Sequence, residues 1–418
     1  MNQKKLKAIF VDVIPPNITG EHAEKRLEEL ENLVNTYGGI VVLKIIQKKE
    51  VPDYDTYIGK GKVQEICELA EEHKADVLIV NNILKVRQIF KLDEIFRKKE
   101  LEVKTWDRMD LILKIFDRHA KTTEAKLQIE LASIRHMGAR IFGMGIELSR
   151  QGGAMGLRAG QGESNTEMMK RHLQSQELSI LKKLKHYETI NEGHRAQRRR
   201  QNFKTAALVG YTNAGKSSLL KALTGKDVYI ADQLFATLDT RVGKLFIKPK
   251  TTSEDGNYQP GKEILVSDTI GFIQDLPPEL IKAFKSTLAE TVDADLLIHV
   301  IDISDPHVVH KVKVVEDVLD QLGVGDKPKI YVFNKLDLIA PADIFQHNKQ
   351  PKRPSLLKAG TETAELLGWS SFDAKKRAEA LKQVKKLRNA YKQHTPVFVS
   401  AHKKRHLEDL IGVISKLL

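Results

Sequence analysis

Cysteine is almost missing from this chain: Cys67 is the single one in 418 residues. That excludes an internal disulfide and fits a reducing compartment. Cys67 lies in "VQEICELA", between apolar neighbours at helical spacing, which marks a buried structural thiol rather than a nucleophile. Long apolar runs are missing too. No stretch approaches the length of a membrane span, and the apolar run within "MNQKKLKAIFVDVIPP" is too short for a signal peptide. A cytoplasmic protein without a membrane span is expected. No segment repeats internally. Acidic residues are in deficit, 55 against 68 lysines and arginines, for a formal charge of +13. A sequence pI of about 9.4 favours a polyanionic partner. The chain is long enough for two or three domains, each with its own core.

Three regions follow from the patterning. In 1–106, the β-branched runs "LKAIFVDVI", "GGIVVLKII" and "ADVLIVNN" alternate with amphipathic stretches such as "HAEKRLEELENLVNTY" and "VRQIFKLDEIFRKK". Strand–helix alternation of this kind predicts a parallel sheet with helices on its faces. The loop "PDYDTYIGKGK" (52–62) reads as a turn, with a phosphate site as the alternative. In 107–202 the pattern becomes helical and basic. Leu127, Leu131 and Ile134 form one apolar stripe, and Leu173, Ile180, Leu184 and Tyr187 another, with polar breaks at Glu177 and Asn191. Two such stripes predict an antiparallel hairpin with coiled-coil-like packing. Between them runs a glycine-rich loop, 143–166, carrying Arg150 and Arg158. From Lys114 to Lys204 there are 18 lysines and arginines against 9 acidic residues. Four of these, Arg195, Arg198, Arg199 and Arg200, cluster in "RAQRRR". A charge run of this kind is commonly a solvated helix face. On a hairpin with a glycine-rich tip it points to nucleic acid, whose phosphates dominate affinity. In 203–418 the α/β pattern returns, with a basic insert at 341–395 holding 12 lysines and arginines against 5 acidic residues.

The third region carries the chemistry. "GYTNAGKS" follows the strand "AALV" and precedes the helical run "SLLKALTG". In that setting Gly210, Tyr211, Thr212, Asn213, Ala214 and Gly215 form a phosphate loop whose backbone N–H groups face the anion. Lys216 would reach the β- and γ-phosphates and Ser217 would bind Mg²⁺. The helix dipole favours the same anion. "DTIG" places Asp268, Thr269, Ile270 and Gly271 at the end of a strand. There the carboxylate can hold Mg²⁺ through water, and the Gly271 N–H can sense the γ-phosphate. "NKLD" supplies Asn334, Lys335, Leu336 and Asp337. Asp337 can accept two hydrogen bonds from guanine that adenine cannot offer, a difference able to discriminate by roughly 10⁴-fold. Ser400, Ala401 and His402 follow the last strand, where the Ala401 N–H can meet the guanine carbonyl. A mobile loop, "DQLFATLDTRVG" (232–243), must present a threonine to Mg²⁺, and spacing leaves Thr237 and Thr240 open. After "DTIG" comes Phe272, where many such enzymes carry a polar residue that holds the attacking water. Phosphoryl transfer needs that water positioned. Intrinsic hydrolysis should therefore be slow, with order supplied from outside the loop.

Together, "GYTNAGKS", "FATLD", "DTIGF", "YIGKGK" and "DRMDLILKIFDRHAKTTEAKLQIELA" resemble the HflX family of ribosome-associated GTPases, from about residue 10 to the end. The resemblance implies an N-terminal α/β subdomain, a helical hairpin and a Ras-like P-loop GTPase domain. It implies that Phe235, Ala236, Thr237, Leu238 and Asp239 form the first switch, with Thr237 on Mg²⁺ beside Ser217. Lys216, Thr237 and Gly271 are then the expected catalytic residues. It also implies GTP and GDP as ligands, Mg²⁺ as cofactor, a monomer off the ribosome, and binding to rRNA of the large ribosomal subunit. The arginines above are candidate rRNA contacts. The expected action is remodelling or splitting of stalled or idle ribosomes. The alternative is a GTP-regulated RNA-binding factor for large-subunit assembly. An RNA-modifying enzyme would need a reactive cysteine or a second cofactor fold, and Cys67 is poorly suited. The family's usual "GPGETQLE" appears here as "GQGESNTE" (160–167).

Overall fold

The computed structural model describes residues 5–18, 20–136, 159–225, 241–251, 258–259, 261–273, 280, 285–339, 382, 386, 389–391 and 396–418. The chain divides into two compact units, Met1–Asn191 with Pro277–Ala283, and Glu192–Leu276 with Phe284–Leu418.

In the first unit, strands β1 (Lys7–Ile14), β2 (Ile40–Lys48), β3 (Val77–Val80) and β4 (Lys104–Asp107) form a sheet ordered β2-β1-β3-β4. Every pairing is parallel. The crossovers are helices α1 (Gly20–Tyr37), α2 (Lys60–His73) and α3 (Val86–Lys98). A parallel sheet covered on both faces needs strands that are apolar throughout, and β3 is buried at all four positions. One face packs Ile9, Val11, Leu78 and Val80 against Val63, Ile66, Cys67, Leu92 and Phe96. Cys67 is 1% exposed and burial pushes its thiol pKa up, as expected of a structural thiol. Strand β4, "KTWD", was not anticipated: four residues with two polar members carry little strand signal. It leads directly into α4 (Arg108–His119), where Asp107 caps the helix by accepting from the Asp110 backbone N–H at 2.8 Å.

The helical hairpin follows. A helix over 123–136, here α5, pairs with the 42-residue α6 (Ala159–Arg200). Leu127, Leu131 and Ile134 pack on Leu173 and Ile180, with Leu184 and Tyr187 at the margin. Both polar breaks find partners across the seam. Arg135 Nε lies 2.8 Å from Glu177 Oε1, and Asn191 Nδ2 donates to Glu124 Oε2 at 3.1 Å. Paired polar groups at such positions fix register in coiled coils. Of the expected glycine-rich loop 143–166, residues 159–166 are instead the first turns of α6, and 143–158, with Arg150 and Arg158, lie outside the described residues.

In the second unit, β5 (Lys204–Val209), β6 (Arg241–Ile247), β9 (Lys262–Asp268), β10 (Leu296–Asp302), β11 (Lys329–Asn334) and β12 (Val397–Phe398) form a sheet ordered β12-β11-β10-β5-β9-β6. A two-stranded ribbon of β7 (Lys250–Thr251) and β8 (Tyr258–Gln259) stands apart. Only β6 among the sheet's pairings runs antiparallel. Helices α7 (Lys216–Thr224), α8 (Lys285–Asp293), α9 (Val308–Gln321) and α10 (Leu407–Leu417) complete the layers. One core joins α7 and α10 to the sheet through Leu219, Leu220, Leu410 and Ile414. Another joins α9 to β10 and β11 through Val308, Val312, Ile301 and Phe333. Strand β6 begins at Arg241, inside the span expected to be a loop. Its burial alternates along "GKLFI", as an edge strand with one covered face requires.

No helix among the described residues is long and apolar enough to cross a membrane.

Candidate functional site

The carboxyl ends of β5, β9, β10 and β11 share one edge of the second sheet. Strand β5 has β9 on one side and β10 on the other, so chain connections depart in opposite directions from it. Open α/β sheets bind ligands outside the strand ends at such a reversal. Segment 210–217 leaves β5 there and enters α7 at Lys216.

The loop's shape depends on its glycines. Gly210 has φ +151°, and a Cβ on it would lie 2.3 Å from the Val300 carbonyl oxygen. Gly215 has φ +89°, and a Cβ there would meet Asn334 Nδ2 at 2.3 Å. Asn213, exposed, adopts φ 60°, a conformation asparagine tolerates better than most residues. Tyr211 is buried at 8% exposed, with the Lys311 ammonium over its ring at 4.8 Å.

Lys216 is 6% exposed. Its Nζ donates to the carbonyl oxygens of Gly210 at 3.1 Å and Tyr211 at 2.9 Å. Burial pushes its pKa down to about 8, and the Asp268 carboxylate pulls in the opposite direction. Asp268 is fully buried at the end of β9 and accepts from Ser217 Oγ at 2.6 Å. A hydroxyl and a carboxylate this close are an all-oxygen donor pair suited to Mg²⁺, which takes few protein ligands beside its phosphates and waters. Thr269 is turned inward, its hydroxyl donating to Leu208 O at 2.7 Å. Ile270 is also buried.

Phe272 is 1% exposed, so its ring is a core side chain. Its backbone stitches the end of "DTIGF" to the phosphate loop: Thr212 N donates to Phe272 O at 2.8 Å, and Phe272 N to Gly210 O at 3.1 Å. A Cβ on Gly271 would come within 2.8 Å of Thr212 Cα and 2.9 Å of Lys216 Nζ. Gly271 is thus the residue through which this strand end approaches the ammonium.

The base-side residues form a second cluster. Asn334 Nδ2 donates to Ala214 O at 2.9 Å, and Asn334 Oδ1 accepts from Ala401 N at 3.0 Å. One buried amide therefore ties the phosphate loop to the segment after β12. Ser400 Oγ donates to Asp337 Oδ1 at 2.5 Å, which orients the carboxylate, and Lys403 N donates to Ser400 Oγ at 3.0 Å. Leu336 is buried in the short 3₁₀ turn beside Asp337, whereas His402 is exposed. Lys335, at φ 63°, places its Nζ 2.7 Å from Asp302 Oδ2. Asp302 was missed in the sequence. The sequence showed only that it ends the apolar run "LLIHVID"; its register with Asn334 on β11 emerges in the fold.

Residues 210–217, 268–271, 334–337 and 400–402 are thus gathered along one edge. Phe235, Ala236, Thr237, Leu238, Asp239 and Thr240 lie outside the described residues. Of the other candidate arginines, Arg199 and Arg200 are exposed on the last turn of α6. Arg198 instead makes a bidentate pair with Glu290 at 2.6 and 3.0 Å, and Arg195 lies 2.7 Å from Asp293. Both carboxylates are on α8.

Three family models match the chain in order. They are described as GTP-binding GTPase N-terminal (residues 24–117), GTP-binding GTPase Middle Region (119–198) and 50S ribosome-binding GTPase (205–335). A GTPase HflX of Caldanaerobacter subterraneus subsp. tengcongensis is 42% identical over 335 residues, covering 80% of this chain and 73% of the relative. A GTPase HflX of Escherichia coli K12 is 37% identical over 337 residues, covering 81% and 75%. Among solved structures, that of SsGBP with GDP has 24% identity and a TM-score of 0.47, covering 99% of this chain and 98% of that one.

Proposed function

The chain belongs to the HflX family of GTPases, and from that premise we propose that it binds the large ribosomal subunit and spends GTP hydrolysis on remodelling or splitting stalled or idle ribosomes. The third matching family is described as a 50S ribosome-binding GTPase, and we carry that attribute to this chain. The observation that carries the reading is mechanical. Helix α6 runs unbroken from the hairpin to Arg200, and its last turns hold Glu290 and Asp293 of α8 through Arg198 and Arg195. Helix α8 follows the "DTIG" strand end in the chain. These pairs tie the end of α6 to α8 within the second unit. A bidentate arginine–carboxylate pair holds such a contact in a specific geometry.

In this reading Gly210–Gly215 cradle the phosphates, Lys216 neutralises the β- and γ-groups, and the Gly271 N–H meets the γ-phosphate. Asp337, oriented by Ser400, selects guanine, and the Ala401 N–H, held by Asn334, meets the base carbonyl. Ser217 and Thr237 would hold Mg²⁺ directly and Asp268 would hold it through water, and the ion would supply positive charge against the phosphates. Segments 232–243 and 268–275 are the switches, ordered by GTP and released on hydrolysis. Arg150, Arg158, Arg199 and Arg200 contact rRNA phosphates, whereas Arg195 and Arg198 hold α8. Phe272 offers no polar group to the water, so turnover off the ribosome is slow.

The test is GTP turnover with and without purified large subunits, together with sedimentation of intact ribosomes. The expected outcome is stimulation by large subunits and release of free subunits with GTP. Stimulation with unchanged particles would favour the assembly-factor alternative, and equal rates would defeat ribosome activation.

A further inference from the structure

With Phe272 buried, the question is which side chain of this protein orders the attacking water. Thr212 is the third residue of the phosphate loop and is 6% exposed. Its Oγ1 is enclosed and makes no hydrogen bond among the described residues. Other buried hydroxyls among the described residues are satisfied by backbone carbonyls, Thr269 by Leu208 and Thr36 by Asn32. A stranded hydroxyl is costly to bury and calls for a reason. Thr105 and Thr291, on β4 and α8, are also stranded, so isolation alone does not single out Thr212.

Its position does. The Thr212 backbone N–H donates to Phe272 O, which holds the residue against the "DTIGF" strand end. A Cβ built on Gly271 would lie 2.8 Å from Thr212 Cγ2 and 2.9 Å from Lys216 Nζ. The threonine methyl, the switch glycine and the buried ammonium thus converge on one small volume, with the enclosed hydroxyl on the same Cβ. A phosphate-loop lysine meets the β- and γ-phosphates there.

We propose that Thr212 is a catalytic residue of the GTPase reaction, its hydroxyl contacting the γ-phosphoryl group and the water in line with it. The inference rests on the GTP reading above and assigns Thr212 a role in chemistry rather than in binding alone. The hydroxyl accepts a hydrogen bond from the water and donates its own to a γ-oxygen, as a group with one donor and two acceptor sites can. The water oxygen bonds to the γ-phosphorus while the bond from phosphorus to the bridging oxygen breaks. The electron pair leaves with GDP, and the water proton ends on inorganic phosphate. Thr212 is not consumed. It supplies one polar contact to the water from the phosphate loop, and the large subunit supplies the remaining order.

Thr212→Val keeps the branched shape and removes the hydroxyl, whereas Thr212→Ser keeps the hydroxyl. Affinities for GDP and a non-hydrolysable GTP analogue, and single-turnover hydrolysis, are measured for both variants and the parent. The expected result is that Val binds both nucleotides within about threefold of the parent but hydrolyses GTP about 100-fold more slowly, the scale of losing one transition-state hydrogen bond. Ser should recover hydrolysis to within about threefold. Parental hydrolysis in the Val variant, or a Ser variant as slow as Val, would overturn the assignment. A Val variant that loses nucleotide affinity as much as rate would also overturn it, by making Thr212 a binding residue. If the parent itself bound no guanine nucleotide, the GTP reading would fail instead.

Discussion

The two parallel sheets of this chain treat their carboxyl edges differently. In the first unit, Asp12 on β1 is fully buried and accepts from Arg26 at 2.8 Å and from Asn81 Nδ2 at 3.0 Å. Asn81 Oδ1 in turn accepts from Arg108 at 3.0 Å, and Arg108 reaches Glu29 at 3.2 Å. The neighbouring loop 52–62 also closes on itself. Asp53 Oδ1 accepts from the backbone N–H groups of Asp55 and Thr56, and Gly59 N donates to Gln47 Oε1 at 2.8 Å. Most polar groups there answer one another, although Asn82 Oδ1, just after β3, makes no hydrogen bond among the described residues. In the second unit the same edge gathers a lysine, backbone turns at φ +89° and +151°, and an unanswered threonine hydroxyl. Similar layers therefore need not mean similar sites: a binding edge keeps polar groups that its own fold leaves for a ligand.

Lys216→Ala should break the second edge most severely, lowering GTP turnover by about 10³-fold. The melting of the first unit should not change; intact turnover would remove Lys216 from the site. Asp337→Asn comes next. It should move preference from guanine to xanthine nucleotides by about 100-fold or more, because a carboxamide presents a donor where guanine also donates. Competition binding reads this directly, and an unchanged guanine preference would contradict it. On the first edge, Asp12→Ala should cost about 2–3 kcal/mol by leaving Arg26 and Asn81 without their acceptor. Denaturant unfolding measures that loss, and a matching fall in GTP affinity would erase the contrast between the edges. Cys67 gives the smallest effect. The residue is 1% exposed and its raised pKa leaves little thiolate, so alkylation at pH 8 should run much slower than for free cysteine until the chain unfolds. Rapid labelling of the native protein would show the first core to be open.

The sequence made both α/β units legible because apolar strands and amphipathic helices alternate strongly, and the phosphate and base motifs could be placed because each follows a strand. Elements with weak local signal escaped. Strand β4 is short and half polar, and β6 begins within a span that motif logic assigned to a switch. Long-range polar pairing was invisible for another reason. Asn81 meets Asp12 from 69 residues away, and Arg198 meets Glu290 from 92 residues away. Nothing near "RAQRRR" distinguishes the arginines that hold α8 from those that face solvent. The hairpin seam was legible down to its polar breaks, because heptad spacing is local.

Co-sedimentation with purified large ribosomal subunits, comparing protein loaded with GDP and with a non-hydrolysable GTP analogue, tests the central claim most directly. The account predicts that the analogue-loaded protein pellets with the subunits and that GDP-loaded protein stays largely in the supernatant. Equal occupancy in the two states, or none in either, would contradict it.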